Sequence, residues 1–167
     1  MDVALTAAAE CAAQWLQQRH WMLATAESCT AGWIAKTITD IAGSSAWFDC
    51  GFVTYSNTAK QTMLGVDAET LIQSGAVSEQ TVVEMAHGAL ERSQADVVLA
   101  VSGIAGPGGG SSEKPVGTVW FAWGDRNGQM YTACRCFQPI IGENVRESVR
   151  RQTVICALEG LMTHSWS

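Results

Sequence analysis

Hydrophobic and polar positions repeat with two different periods along the chain, and these periods predict an alternation of helices and strands. Residues 4–19 carry apolar side chains every three or four positions, which is the spacing of an amphipathic helix. Shorter apolar segments at 21–25 and 48–56 predict strands. The continuous apolar run 97–101 is typical of a strand that is covered on both faces. Further helices are predicted at about 33–43, 57–65, 68–73, 78–90 and 143–162.

Two strands near the C-terminus flank a hairpin turn. They are predicted at about 116–123 and 130–137, on either side of Asp125-Arg126-Asn127-Gly128. We therefore predict an α/β fold, a three-layer α/β/α domain with a mixed, mainly parallel sheet of about five strands that ends in a β-hairpin. One domain is expected over residues 1–167, with its core at about 5–162 and a loose tail after it.

Composition is that of a compact globular protein. Hydrophobic residues make up 47% and charged residues 16% of the 167 positions, whereas disordered chains are poor in apolar residues. The net charge of −6 argues against a nucleic-acid partner, because phosphate backbones bind to basic surfaces. No apolar run is long enough to span a membrane, and no basic region precedes an apolar stretch at the N-terminus. We therefore expect a cytoplasmic protein that contacts neither nucleic acid nor membrane.

Cysteine and histidine, the usual ligands of zinc, are scattered through the sequence. The six cysteines lack C-x-x-C spacing, so free and mostly buried thiols are expected. They are Cys11, Cys29, Cys50, Cys134, Cys136 and Cys156. His20, His87 and His164 are far apart and form no recognisable ligand set. We predict no metal site and no cofactor.

The turn between the first strand and the next helix offers a candidate nucleophile, Ser28. Glu27-Ser28-Cys29-Thr30 brings hydroxyl groups close to the free N–H groups of a helix N-terminus. Side chains of these types also serve as ordinary helix caps, and that alternative stays open. Cys29 is a rival nucleophile, because a helix N-terminus can lower the pKa of a thiol. Glu27 either orients a ligand or pairs with a surface cation.

A serine nucleophile needs a base that takes its proton, and no histidine lies near the polar clusters. A buried lysine with a lowered pKa can act instead, helped by a tyrosine hydroxyl that relays or orients the proton. Lys60 and Tyr55 fit these two roles. The alternatives are a solvated lysine on a helix and a half-buried tyrosine on a strand.

Three polar clusters follow the predicted parallel strands and are expected to meet at one edge of the sheet. They are Ser28-Cys29-Thr30, Tyr55-Ser56-Asn57 with Lys60, and the glycine-rich residues 103–110. Backbone N–H groups of the glycine-rich loop can surround an anion, although a merely flexible loop has the same composition. Arg146 belongs to a set of cations at helical spacing, which also fits an exposed basic face.

Several segments in a fixed order resemble the CinA C-terminal domain family. The first motif is Thr25-Ala26-Glu27-Ser28-Cys29-Thr30-Ala31-Gly32, and the second is Gly51-Phe52-Val53-Thr54-Tyr55-Ser56-Asn57 with Lys60. The others are Gly75-Ala76-Val77-Ser78, Ser102-Gly103-Ile104-Ala105-Gly106-Pro107-Gly108-Gly109 and Lys114-Pro115-Val116-Gly117-Thr118-Val119. The resemblance covers residues 5–162, nearly the whole chain.

The resemblance implies a metal-independent amidohydrolase that converts nicotinamide mononucleotide (NMN) to nicotinic acid mononucleotide and ammonia, in the recycling of pyridine nucleotides and NAD. It implies Ser28 as the nucleophile, Lys60 as its base and Tyr55 as a supporting hydroxyl. The oxyanion would bind N–H groups at the start of the next helix. The residues predicted to contact this small-molecule substrate are Glu27, Cys29, Thr30, Asn57, Gly106, Gly108, Gly109 and Arg146. Among them, the glycine-rich loop and Arg146 are the candidates for the 5′-phosphate and ribose.

Two departures from the family pattern concern the serine turn and the segment before the last helix. Ala31 replaces the first of two glycines that usually follow the threonine of the first motif. The family usually reads Gly-Asp-Arg before the last helix, whereas this chain has Gly142-Glu143-Asn144-Val145-Arg146. The nucleotide-processing N-terminal domain of full-length members is absent, so only the deamidase module is expected.

Two other functions stay open on the sequence. One is a catalytically silent nucleotide-binding or interaction module, although retention of Ser28, Tyr55 and Lys60 argues against it. The other is a serine–lysine amidase or esterase for a different small substrate, because this machinery does not select the leaving group. Seven tryptophans leave room for an apolar interface, so a homo-oligomer is expected, with a dimer favoured.

Overall fold

The computed structural model describes residues 2–166, in which strands and helices alternate up to a C-terminal hairpin and helix. The strands are β1 (Leu23–Glu27), β2 (Phe48–Val53), β3 (Val97–Gly103), β4 (Thr118–Asp125) and β5 (Met130–Cys136). The α-helices are α1 (Val3–Arg19), α2 (Trp33–Thr39), α3 (Asn57–Leu64), α4 (Ala68–Gln73), α5 (Glu79–Glu91) and α6 (Val145–Thr163). A 3₁₀ turn at Ser44–Ala46, which the sequence does not predict, leads into β2.

The strands form one sheet in the order β2-β1-β3-β4-β5. β1 pairs in parallel with β2 and β3, whereas β4 pairs in antiparallel fashion with β3 and β5. Four strands therefore run in one direction, and β4 runs against them. The predicted mixed, mainly parallel sheet that ends in a hairpin is confirmed.

Alternate side chains of the central strand β3 face two separate hydrophobic cores. Val97, Leu99 and Val101 pack with α1, α2 and α6, whereas Val98 and Ala100 pack with α3, α4 and α5. All five side chains are buried, as the continuous apolar run of β3 predicts. Helices thus cover both faces of the sheet, and the predicted three-layer α/β/α arrangement is confirmed.

The carboxyl ends of β1, β2 and β3 lie side by side. Glu27, the last residue of β1, is in register with Val53 of β2 and Val101 of β3. Ser28 follows directly, and its N–H donates to the carbonyl oxygen of Val101 at 3.1 Å. The loops after these strands therefore meet at one edge of the sheet, where ligands bind in open α/β folds.

A glycine in α5 allows α3 to approach closely. A Cβ atom on Gly88 would lie 1.8 Å from the backbone oxygen of Leu64, far inside van der Waals contact. Glycine, which has no Cβ, permits this approach of the two backbones. Leu64 lies one turn after Lys60 in α3, so the contact also helps to set the position of that lysine.

Several element boundaries differ from the prediction. α2 ends at Thr39 rather than near 43, β2 ends at Val53 rather than 56, and β4 spans Thr118–Asp125 rather than 116–123. Two further differences lie next to the site. β1 extends to Glu27 rather than ending at 25, because its ladder with β3 runs from Leu23 to Glu27. The sequence predicts Asn57 as the N-cap of α3, but the cap is Ser56, whose hydroxyl accepts the N–H of Ala59 at 3.0 Å. Asn57 is instead the first helical residue.

The C-terminal tail is held by aromatic contacts, so the prediction of a loose tail is wrong. The Trp166 ring packs edge-on against Trp15 and Trp21, with ring centroids 6.3 and 6.1 Å away. Its Nε1–H donates to the carbonyl oxygen of Leu161 at 2.7 Å. These contacts attach the tail to α1 and to the segment before β1.

Candidate active site

A cavity of about 220 Å³ opens at the edge of the sheet where β1, β2 and β3 end. Residues 76–77 and 102–105 form part of its wall. The predicted site residues in the wall are Ser28, Cys29, Tyr55, Asn57, Lys60 and Arg146. The fold thus brings together side chains from the loops after two strands and from α3 and α6.

Ser28 and Lys60 form a buried pair in this cavity. Nζ of Lys60 lies 3.0 Å from Oγ of Ser28, within hydrogen-bonding distance. Lys60 is only 1% exposed and Ser28 only 8%. This burial contradicts the alternative interpretation of Lys60 as a solvated helix lysine.

The burial of Lys60 makes its charged form less favourable than it is in water. Burial lowers the pKa of Lys60 from its ordinary value of 10.5. Nζ also lies 2.9 Å from the carbonyl oxygen of Thr54 and 3.3 Å from that of Tyr55. A neutral amine has two N–H bonds to donate to these two carbonyls, and a lone pair that can accept the proton of the Ser28 hydroxyl. Lys60 takes part in none of the ion pairs among residues 2–166, so no carboxylate holds the proton there.

The N–H groups at the start of α2 are already occupied. Those of Gly32, Ile34 and Ala35 donate to the carboxylate of Glu27 at 3.1, 3.0 and 2.9 Å. The prediction that this helix start binds the oxyanion is therefore wrong. The N–H groups of Cys29 and Thr30, by contrast, donate to no other residue in the described chain. These two N–H groups directly follow Ser28, and both are available to donate to a ligand oxygen.

The carboxylate of Glu27 is fully buried and organises the serine turn. Besides the three N–H groups of α2, it accepts the hydroxyls of Thr30 at 2.6 Å and Thr25 at 3.3 Å. These hydrogen bonds offset the high cost of burying a charge. Neither Glu27 nor Thr30 lines the cavity, although both are predicted to contact substrate. We assign them to holding Ser28 in place instead.

Cys29 lines the cavity as a buried thiol rather than a thiolate. Burial raises the pKa of Cys29 to about 12, and the nearby charge of Glu27 acts in the same direction. A nucleophilic cysteine needs the opposite shift. The structure therefore favours Ser28 over Cys29 as the nucleophile.

The hydroxyl of Tyr55 contacts Arg146 rather than the Ser28–Lys60 pair. It accepts a hydrogen bond from Nη2 of Arg146, and the tyrosine is 56% exposed. Lys60 contacts Tyr55 only through the backbone carbonyl. The structure places Tyr55 in the cavity wall, as the sequence predicts, but its hydroxyl has a different partner.

The glycine-rich loop borders the cavity through Gly103 and Ala105. Gly106, Gly108 and Gly109, which are predicted to contact substrate, are not among the lining residues. The carbonyl oxygen of Gly106 accepts a hydrogen bond from Nη1 of Arg146 at 3.0 Å. Gly108 and Gly109 are exposed. Within residues 2–166, the N–H groups of these three glycines donate to no acceptor. The loop therefore presents open donors next to a cation, as an anion site requires.

A larger groove of about 800 Å³ lies between α1 and α2, and it lacks comparable chemistry. Its lysine, Lys36, is exposed and pairs with Asp40. Its two threonine hydroxyls, on Thr6 and Thr37, donate to backbone carbonyls. We therefore place the candidate chemistry in the smaller cavity, which holds the serine–lysine pair.

The described part of the chain has neither a metal-binding cluster nor a membrane helix. Within residues 2–166, no three His, Cys, Asp or Glu side chains lie together so as to hold a metal ion. No helix in this part is long and apolar enough to cross a bilayer.

Some groups at the site were missed in the sequence analysis. Ser102 lies in the cavity wall and is almost fully buried. Its position directly after the apolar run 97–101 was the available signal. The carbonyl oxygens of Thr54 and Tyr55 hold Lys60, and no sequence pattern marks a backbone acceptor of this kind.

Comparison with known sequences gives matches over nearly the whole chain. The family model described as CinA C-terminal domain matches residues 5–164. Nicotinamide-nucleotide amidohydrolase PncC of Escherichia coli (strain K12) is 56% identical over 160 residues, which are 96% of this chain and 94% of that protein. The protein of the same name from Pseudomonas putida is 51% identical over 147 residues, which are 88% of each chain.

Solved structures show the same likeness. The competence/damage inducible protein CihA from Agrobacterium tumefaciens matches with a TM-score of 0.89 at 50% identity, over 95% of this chain and 94% of that one. The competence-damaged protein (CinA) superfamily protein ECK1530/EC0983 from Escherichia coli matches with a TM-score of 0.87 at 37% identity. That match covers 97% of this chain and 91% of the other.

Proposed function

Because the chain belongs to the CinA C-terminal domain family, we propose that it hydrolyses the amide of NMN to give nicotinic acid mononucleotide and ammonia, in the recycling of NAD. The names of two relatives, both nicotinamide-nucleotide amidohydrolases, support the substrate and the bond. The observation in this chain that carries the proposal is the 3.0 Å contact between Nζ of the buried Lys60 and Oγ of Ser28.

In the first half of the reaction Ser28 is the nucleophile and Lys60 is its base. Lys60 accepts the hydroxyl proton while Oγ bonds to the carboxamide carbon and the carbonyl electron pair moves onto oxygen. The open N–H groups of Cys29 and Thr30 stabilise this oxyanion. The C–N bond then breaks as Lys60 passes its proton to the leaving nitrogen, which departs as ammonia.

Water completes the turnover. Neutral Lys60 accepts a proton from water while the water oxygen bonds to the acyl carbon of the ester on Ser28. Collapse of the second oxyanion breaks the bond to Oγ, and Lys60 returns the proton to that oxygen. The carboxylic acid that is released loses its proton to solvent. Lys60 thus acts as base and acid in both halves, and the scheme assigns no step to a metal.

The phosphate of the substrate is assigned to Arg146 and the glycine-rich loop. Arg146 supplies a positive charge in the cavity wall, and Gly106, Gly108 and Gly109 supply open N–H groups. Asn57, in the same wall, is proposed as a further substrate contact.

Ammonia release from NMN by the purified protein, with a chelator present, tests the proposal. We expect chelator-resistant release that disappears in Ser28→Ala and persists in the matched control Ser45→Ala, whose side chain is exposed outside the cavity. Release that persists in Ser28→Ala, or that the chelator abolishes, would contradict the serine–lysine mechanism.

The same measurement separates the two alternative functions. A wild-type protein that releases no ammonia, but whose melting temperature rises with NMN, would be a silent nucleotide-binding module. Hydrolysis of other small amides or esters, without hydrolysis of NMN, would indicate a serine–lysine enzyme for another substrate.

Assembly and location are proposals carried over from the sequence. We propose a homo-oligomer, with a dimer favoured, in the cytoplasm. Light scattering on the eluting peak of a size-exclusion column measures the mass in solution, and a mass of one chain would contradict the oligomer.

A further inference from the structure

Arg146 joins two walls of the cavity. Its Nη1 donates to the carbonyl oxygen of Gly106 at 3.0 Å, and its Nη2 donates to the hydroxyl of Tyr55. Gly106 lies in the loop after β3, and Tyr55 lies in the loop after β2. One guanidinium from the first turn of α6 therefore ties both loops together, in the cavity that holds Ser28 and Lys60.

The charge of Arg146 has no counter-ion in the described part of the chain. Its two partners are neutral oxygen atoms, and none of the ion pairs within residues 2–166 includes it. Arg151, further along α6, differs because it pairs with the carboxylate of Asp2. A guanidinium binds a phosphate dianion more strongly than neutral acceptors, because the opposite charges attract and its planar fork can donate two parallel hydrogen bonds to the phosphate oxygens. A phosphate that enters the cavity therefore competes with Tyr55 for Arg146.

The hydroxyl of Tyr55 is held away from the reacting pair in this arrangement. Within the described residues its hydrogen-bond partner is Arg146, while Lys60 contacts only the backbone oxygen of Tyr55. Tyr55 is 56% exposed, so more than half of its surface is not packed against protein. Loss of that bond leaves the hydroxyl free to turn toward Ser28 and Lys60.

We propose that Arg146 couples phosphate binding to the chemical step. The substrate phosphate draws the guanidinium off the Tyr55 hydroxyl, and the freed hydroxyl then hydrogen-bonds to the groups that react at Ser28. This inference rests on the proposed function, because it needs a substrate that carries a phosphate and an amide. Binding energy from the phosphate then raises kcat as well as lowering KM. Arg146 therefore selects nucleotides over nucleosides through kcat and not only through binding affinity.

Nicotinamide riboside, which lacks the phosphate, allows the two parts of the substrate to be supplied separately. We expect slow hydrolysis of this nucleoside, and we expect added phosphite dianion to raise its kcat/KM by about 5- to 150-fold, the usual range of coupling between two sites. The activation ratio, meaning kcat/KM with phosphite over kcat/KM without it, is the readout. It does not depend on the absolute activity of each variant.

Three variants test which side chains the activation by phosphite requires. Arg146→Ala and Tyr55→Phe are each expected to bring it close to 1, whereas Arg146→Lys keeps part of it because the charge remains. Arg135→Ala is the matched control, because Arg135 is an exposed arginine on β5 outside the cavity wall, and its ratio is expected to equal that of the wild type. Thermal melting confirms that each variant is folded.

The outcomes separate this inference from the proposed function. Activation in the wild type that is lost in both Arg146→Ala and Tyr55→Phe supports the coupling. A wild-type ratio close to 1, with NMN hydrolysed normally, overturns the coupling and leaves the proposed function standing. A ratio that survives in Tyr55→Phe also overturns it, because the phosphate then acts without Tyr55. If NMN itself is not hydrolysed, the proposed function fails and the coupling fails with it.

Discussion

The cavity has two ends that are built in opposite ways. At the proposed acyl end, Ser28 and Lys60 line the cavity, and Glu27 lies behind them. These side chains are buried and held by protein partners, which are two carbonyls for Lys60 and five donors for Glu27. At the proposed phosphate end, Arg146 lines the cavity and contacts Gly106 of the adjoining loop. The N–H groups of Gly106, Gly108 and Gly109 have no acceptor in the described chain. The side chains that we assign to the reaction are held by protein partners, whereas the loop N–H groups that we assign to the phosphate have no partner in the described chain.

The topology of the chain accounts for this difference. The acyl end is anchored to β1, whose last residue is paired with both neighbouring strands. The phosphate end combines a glycine-rich loop with the first turn of α6, and no sheet ladder holds either of them. Variants at the acyl end are therefore expected to change kcat or stability strongly, and those at the phosphate end to change KM and kcat more moderately.

Lys60→Arg is expected to have the largest effect. Arginine stays protonated and cannot act as a base, so we expect kcat to fall by about 10²- to 10⁴-fold, the usual contribution of general base catalysis. Lys36→Arg, at an exposed lysine on α2, is the matched control and should keep full activity. Substantial turnover by a folded Lys60→Arg protein would remove Lys60 from the mechanism.

The pH dependence of kcat/KM tests the protonation state of Lys60. Activity requires the neutral amine, so kcat/KM should rise about tenfold per pH unit at low pH and reach a plateau above the pKa of Lys60. Because burial lowers this pKa, the rise should end below the ordinary lysine value of 10.5. A profile that keeps rising beyond that value would contradict a lysine with a lowered pKa.

Glu27→Gln is expected to lower both stability and kcat while leaving KM nearly unchanged. The amide group of glutamine would turn an NH₂ toward N–H donors, so some of them lose their acceptor, at a cost of about 1–3 kcal/mol in the free energy of unfolding. The melting temperature should fall by roughly 2–4 °C for each kcal/mol. Glu10→Gln, at an exposed position of α1, is the control. An unchanged kcat would show that Glu27 does not position Ser28.

Gly106→Ala tests whether the conformation of the glycine-rich loop affects substrate binding. A Cβ atom at this position would lie 2.5 Å from Cγ1 of Val116, and φ is +79°. The left-handed backbone alone costs an alanine about 1–2 kcal/mol, so we expect a weakened loop and a higher KM for NMN. Gly128→Ala, in the turn between β4 and β5, is the control, since its φ is also positive at +91° and a Cβ there meets no atom within 4 Å. Equal KM values for the two variants would contradict the assignment of Gly106.

Ala31→Gly is expected to have the smallest effect of these variants, a slight increase in the free energy of unfolding. Ala31 has φ of +51°, a conformation that costs alanine about 1–2 kcal/mol, whereas glycine loses about 0.5–1 kcal/mol more on folding. A net gain of about 0–1.5 kcal/mol in the free energy of unfolding is therefore expected in urea. Ala42→Gly, at an exposed position without positive φ, should destabilise instead. A loss of stability in Ala31→Gly would contradict backbone strain at the serine turn.

Much of the fold and the core of the site could be predicted from the sequence. The uninterrupted apolar run of β3 predicts a strand buried on both faces, and the rule for strand ends brings Ser28 and Lys60 together. Both predictions rest on local patterns, namely an apolar run and polar segments that directly follow predicted strands. Few other folds would bury the first and bring the second together.

The direction of polar side chains could not be predicted in the same way. Glu27 lies next to Ser28 in sequence, yet its carboxylate faces α2, because burial between strand and helix gives it donors there. The contact of Tyr55 with Arg146 spans 91 positions of sequence and follows no local pattern. The hydrogen-bond partner of such a side chain depends on which donors and acceptors remain unpaired in the packed structure. The sequence alone does not show which groups these are.

The close contact of Gly88 with Leu64 has a consequence for genetics. A side chain on Gly88 would push α3, and with it Lys60, away from Ser28, since the backbone oxygen of Leu64 is only 1.8 Å from where a Cβ atom would be. A random screen for inactive alleles would therefore recover changes at Gly88 together with changes at Ser28 and Lys60. An inactive allele at Gly88 would indicate that α3 is displaced rather than that a substrate contact is lost. Distance from the substrate would therefore predict poorly which codons tolerate substitution.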